Sequence, residues 1–175
     1  MDRKILKQFF EKYPTDNIPP ELFCDFDKKP FEKCLMCEVP LHFCDFYLIQ
    51  KVFNKQSEST MEMAVCFDCA SKHQTGYSQE SMAHMQNFLI SRYNYKTELN
   101  CCTTCDNGVL GKDEFMIGIW CNMGSYLKQP GSMCGTCMRE LSEGLSQETK
   151  DNDRRFKEKL FPGIPRDFGL IPSMA

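Results

Sequence analysis

Eight cysteines constrain this chain more than any other residues. They form four C-x-x-C pairs, Cys34/Cys37, Cys66/Cys69, Cys102/Cys105 and Cys134/Cys137, and the last two pairs repeat the first two at an offset of 68 residues. The 28 residues between Cys37 and Cys66 match the 28 between Cys105 and Cys134, so no gap is needed. Other residues keep the same register: Asp45, Ile49, Asn54 and Phe88 recur as Asp113, Ile117, Asn122 and Phe156. "GYSQES" at 76–81 recurs as "GLSQET" at 144–149. The register predicts two copies of one unit, 34–100 and 101–168. An N-terminal helix and linker over 1–33 precede them, and a short tail over 169–175 follows.

The N-terminal "MDRKILKQFFEKYPTDN" has neither the apolar core nor the small-residue cleavage site of a secretory leader. A reducing, cytoplasmic setting is therefore expected, where structural disulfides do not persist. In that setting C-x-x-C pairs point to zinc. The tight turn puts two sulfurs on one side, and two facing turns complete a tetrahedron with Zn–S near ~2.3 Å. Each unit carries its own four ligands: Cys34, Cys37, Cys66 and Cys69 for one Zn²⁺, Cys102, Cys105, Cys134 and Cys137 for a second. Sharing of knuckles between units is the alternative. Four protein thiolates leave no open position, which marks a structural site. Cys24, Cys44, Cys101 and Cys121 have no counterparts in the repeat and read as packed thiols, although Cys101 abuts Cys102 and is a candidate substitute for it.

Within each unit the knuckle "CLMC" or "CTTC" leads into a strand-like stretch, "DFYLIQKVFN" or "DEFMIGIWCN". A variable polar segment follows, then a return through "MAV" or "SM" into the second C-x-x-C and a helix. Gly76 and Gly144 fit a left-handed helix C′ position. Ser78 and Ser146 fit N-caps, with Glu80 and Glu148 in the next first turn. The repeated phrase thus marks a stop and a restart between helices. Met82, Met85, Phe88, Leu89 and Tyr93 give the second helix of unit 1 an apolar face. Its counterpart in unit 2 keeps only Phe156, Leu160 and Phe161 and reads as more solvated. In the N-terminal arm, Ile5, Leu6, Phe9, Phe10 and Tyr13 form one helical face that docks on the body. "TDNIPPEL" reads as a linker, and the aromatics of "FCDFDKKPF" are expected to cover the metal site. At the C-terminal end, prolines among Ile164, Phe168, Leu170 and Ile171 predict an extended segment that packs back across the body.

Knuckle, β-hairpin, then C-x-x-C entering a helix resembles the treble-clef zinc fingers. The resemblance implies an α+β fold of two tandem zinc-binding repeats with an N-terminal helical arm, and is silent on function. The histidines do not build a catalytic site: His42, His73 and His84 correspond to Leu110, Leu141 and Asn152, so surface or capping roles are expected. No P-loop, nucleophile elbow, H-E-x-x-H or paired-carboxylate pattern is present. A non-catalytic module that binds a protein partner is therefore expected. Thiol–disulfide exchange through the C-x-x-C pairs and nucleic-acid binding are the alternatives. The second is disfavoured by a net charge of −3, since phosphate binding rests on a basic stripe. The apolar runs fall far short of the roughly 20 residues that span a bilayer.

Overall fold

The structure, a computed structural model, describes residues 2–94, 99–110, 114–127 and 131–162. Helix α1, Arg3–Lys12, is capped by the Asp2 carboxylate, which accepts from the Lys4 N–H at 2.8 Å, and it stops before Pro14. A short strand, β1 (Thr15–Asn17), follows. Unit 1 then supplies β2 (Tyr47–Phe53), β3 (Ser59–Cys66), α2 (Phe67–Gln74) and α3 (Gln79–Arg92). Unit 2 supplies β4 (Phe115–Asn122), β5 (Ser125–Leu127), β6 (Ser132–Cys134), α4 (Gly135–Glu143) and α5 (Gln147–Leu160). The fold mixes helices with an antiparallel sheet, in line with the α+β expectation. No described helix is long and apolar enough to cross a membrane.

The six described strands form one sheet, ordered β1-β5-β4-β2-β3, with β6 also paired to β4. Its central pairing, β2 with β4, joins the two units. Gln50 lies opposite Gly118, and these two are equivalent under the 68-residue offset. A local two-fold axis therefore passes through that pair. β2 is buried on both faces, the polar Gln50 and Lys51 at its centre included. Leu48 and Gln50 face the helices with Ala70, His73 and Phe156 around a small void. The alternate residues face the N-terminal segment, where Phe53 and Phe115 stack at 4.7 Å and Lys51 reaches the Phe23 carbonyl at 2.8 Å.

The axis also runs through the repeated phrase. Ser78 Oγ and Ser146 Oγ lie 2.8 Å apart. The Ser78 N–H donates to Thr149 Oγ1 at 3.0 Å, and the Ser146 N–H donates to Ser81 Oγ at 2.8 Å. Both serines also cap their own helices as expected, Ser78 accepting from the Ser81 N–H and Ser146 from the Thr149 N–H. The phrase is punctuation and interface at once.

The glycines recur for a different reason than left-handed backbone. Gly144 has φ −80, and among described glycines only Gly124 has positive φ. A Cβ on Gly76 would meet the Asn152 side chain at 2.7 Å, and one on Gly144 would run into the His84 ring. His84 and Asn152 are equivalents, and each hydrogen-bonds the last turn of the other unit's first helix: His84 Nε2 to the Leu141 carbonyl at 3.1 Å, Asn152 Nδ2 to the His73 carbonyl at 3.3 Å. Close approach, not φ, excludes a side chain.

Each second helix thus packs on the other unit's first helix. α5 lies on α2, where Phe156 stacks on His73 at 3.9 Å. α3 lies on α4, where Arg92 makes a two-pronged pair with Glu140, both bonds 2.7 Å. α5 buries only Thr149 and Asp153 fully, consistent with its charged surface, whereas α3 buries Met85 and Phe88.

The N-terminal region departs from expectation in three places. Within the α1 face, Leu6 is buried but Ile5 is 46% exposed. The stretch read as linker contains β1, which pairs with β5. Phe26 is 97% exposed and covers nothing, while Phe23 and Phe31 do pack on the core. Ile164, Phe168, Leu170 and Ile171 lie outside the described residues.

Candidate metal centres

Each centre is assembled from a loop, a strand end and a helix start. In unit 1, Cys34 and Cys37 sit on the knuckle, Cys66 ends β3, and Cys69 lies in the first turn of α2. Unit 2 repeats this with Cys102, Cys105, Cys134 and Cys137. The knuckle closes because the Glu38 N–H donates to the Cys34 carbonyl at 2.9 Å and the Cys34 N–H to the Val39 carbonyl at 2.9 Å. The Asp106 N–H and Cys102 N–H bonds in unit 2 are both 2.8 Å. This turn requires positive φ at Glu38 (59) and Asp106 (62), a conformation that strains Glu38 more than the short-chained Asp106. The knuckle is then pinned to the returning strand by the Leu35 N–H to the Ala64 carbonyl and the Thr103 N–H to the Ser132 carbonyl, both 2.9 Å.

The result is two clusters, Cys34/Cys37/Cys66/Cys69 and Cys102/Cys105/Cys134/Cys137, in each of which all four sulfurs lie within 4.8 Å of one another. Each cluster draws all four cysteines from one unit. All twelve cysteines are free thiols. Cys37 and Cys66, and Cys105 and Cys134, are 3.8 Å apart between sulfurs, far beyond a disulfide bond. Each cluster can hold a metal ion.

In each cluster the surroundings lower the pKa of one buried thiol, Cys34 or Cys102. Burial raises the Cys34 thiol, but the N–H groups of Cys66, Cys37 and Met36 outweigh it and bring it to about 7. The Cys66 N–H lies 3.3 Å from that sulfur. Cys102 is likewise raised by burial, yet the Thr104 hydroxyl and nearby N–H groups bring it to about 7. Burial pushes Cys66 up to about 11 and raises Cys69, Cys134 and Cys137. In the metal-free state four crowded thiols cannot all ionise. A cation reverses that balance.

The other cysteines lie outside the clusters. Cys121 is fully buried in β4. Cys24 donates to Glu62 Oε1 at 3.3 Å. Cys44 lies 3.8 Å from the Pro40 carbonyl, and Cys101 forms an isolated bridge with Gly108 while Cys102 takes the cluster position. His84 caps α4 as expected and His42 is exposed. His73 is neither surface nor ligand: it is nearly buried, with Nε2 2.9 Å from Asp153 Oδ1. Tyr77 donates to the same oxygen at 2.6 Å. The repeat held the signal for this group, because His73, Tyr77 and Asp153 each replace an apolar residue of the other copy.

No protein-family model, curated protein or solved structure matches the chain.

Proposed function

We propose that this is a non-catalytic protein whose two units are each held by one structural zinc ion and whose surface binds another polypeptide. The observation that carries the reading is the gathering of four protein thiols around each centre, which leaves no position for water or substrate. An all-sulfur, four-coordinate set selects zinc over the harder cations. Knuckle, hairpin and helix-borne C-x-x-C in each unit support the treble-clef reading. Redox exchange is disfavoured, because every C-x-x-C faces a second pair where a disulfide partner would approach. The abundance of free thiols supports a reducing, cytoplasmic setting.

The binding surface is an open groove of about 710 Å³ beside the first knuckle. Phe31, Leu41, Tyr47 and Met123 give it an apolar floor, and Lys29, Lys33 and His42 outnumber Glu32 around it. Met123 stands at the tip of the β4–β5 turn with φ 47 and is 81% exposed. Asparagine or glycine would fit that backbone with less strain. A bulky apolar side chain held there supports a contact role. The groove suits an extended peptide with apolar and acidic side chains.

Elemental analysis of protein purified without added metal tests the first half, with about two zinc ions per chain expected. Strong chelation then abolishes the near-UV spectrum, because such ions contribute directly to folding. Retention of that spectrum in metal-free protein would refute the structural role. For the groove, a fluorescent acidic peptide with apolar anchors binds in a salt-sensitive way, and Lys29→Glu/Lys33→Glu removes binding. Binding unchanged in that variant would reject the groove.

A further inference from the structure

The two contacts between exchanged helices occupy equivalent places about the local two-fold axis, yet their chemistry differs. On one side, His73 in the last turn of α2 and Tyr77 in the turn after it face Asp153 of α5, and the three form a closed group with distances of 2.9, 2.6 and 3.2 Å. The His73 and Asp153 side chains are only 9% and 3% exposed. On the other side, the equivalents are Leu141 of α4, Leu145 in the turn after it and Met85 of α3, all buried. The Tyr77 hydroxyl, the His73 imidazole and Asp153 Oδ1 bond one another only when unit 1 meets unit 2, while Asp153 Oδ2 has no hydrogen-bond partner among the described residues.

Two units this alike can also pair with their own kind from a second chain, through the same strands and the same serines. Pairing of unit 1 with unit 1 would set His73 and the Tyr77 hydroxyl against Met85. Pairing of unit 2 with unit 2 would bury Asp153 against Leu141 and Leu145. Either arrangement leaves a buried polar group without a partner, which is strongly unfavourable. We infer that His73, Tyr77 and Asp153 form a pairing code: the dyad face of each unit is an interaction surface whose partner is the unlike unit, and the trio rejects a second copy of the same unit. A buried polar group setting pairing at the expense of stability has precedent in coiled coils.

Ser78 supplies the reporter. Its hydroxyl faces Ser146 in the native arrangement, whereas pairing of unit 1 with unit 1 would place it against Ser78 of a second chain. Full-length, zinc-loaded Ser78→Cys protein is refolded at high concentration and mildly oxidised, and the 78–78 disulfide between chains is quantified by peptide mass mapping. A Ser78→Cys/Ser146→Cys control forms the bridge within one chain. The symmetric apolar variant, His73→Leu/Tyr77→Leu/Asp153→Met, is expected to give at least about tenfold more 78–78 product, equal to ~1.4 kcal/mol of lost discrimination. The symmetric polar variant, Met85→Asp/Leu141→His/Leu145→Tyr, raises it as well. Combining all six substitutions makes the halves unlike again and returns the product to its original level.

Simple destabilisation would make the six-fold variant the worst of the three, so that ordering overturns the inference. An unchanged 78–78 yield in the apolar variant overturns it too. That variant repeats a trio the protein already buries on its other side, so it decides alone if the polar one does not fold.

Discussion

Lys51 sits in the middle of β2, 1% exposed, although a strand covered on both faces favours apolar residues. Its ammonium lies 2.9 Å from Asp25, 3.2 Å from Glu62 and 2.8 Å from the Phe23 carbonyl. Glu62 in turn accepts the Asp25 N–H and the Cys24 thiol. One buried cation thus ties residues 21–25 to the sheet. The two sides of the pair differ in exposure, and that decides what each substitution does. Glu62→Ala leaves a fully buried charge under-paired and costs about 3 kcal/mol. Lys51→Met leaves carboxylates that are 43% and 20% exposed and can hydrate, so it costs less. Denaturant unfolding in excess zinc checks the order, and equal losses would contradict it. The sequence hid this group because Lys51 looks like an ordinary polar position on an amphipathic strand. Only the second covered face of the sheet makes it buried.

Among elements, the turn between the helices shows what a repeated motif reveals and what it conceals. Capping by Ser78 and Ser146 was legible, because an N-cap depends on a few neighbouring residues. The role of Gly76 and Gly144 was not, because the side chains that forbid a Cβ come from the other unit. The geometry predicts a coupled pair. Gly144→Ala displaces the His84 ring and its bond to the Leu141 carbonyl, costing about 1–2 kcal/mol. After His84→Ala has removed the ring, the same glycine substitution is neutral or stabilising, since alanine suits a helical backbone better by up to ~1 kcal/mol. A double-mutant cycle on thermal or denaturant unfolding measures the coupling. Additive effects would mean that backbone conformation, not the neighbour, selects glycine here. The cysteine clusters lie at the legible extreme: spacing alone places Cys34, Cys37, Cys66 and Cys69 together, because knuckle and helix start are local geometries joined by one hairpin.

At the scale of the molecule, the repeat announced two units but not how they share a core. An apolar helix face such as Met85 and Phe88 specifies the kind of surface it needs, not which unit supplies it. The chain supplies it by exchange: β2 pairs with β4, α5 covers α2, and α3 covers α4. Neither unit keeps its second helix for itself. Loss of one centre should therefore not stay local. Cys137→Ser removes one of the four clustered thiols, in the first turn of α4, which loosens the surface on which α3 of unit 1 is held, while β4 and β2 share a ladder. The expected result is one unfolding transition at lower temperature for the whole chain, with faster amide hydrogen exchange in β2 and β3 as well as in β4 and α4. Two separate transitions, with the exchange of β2 and β3 unchanged, would show instead that the units fold independently despite their common sheet. Chemistry is thus written within each unit, and stability across both.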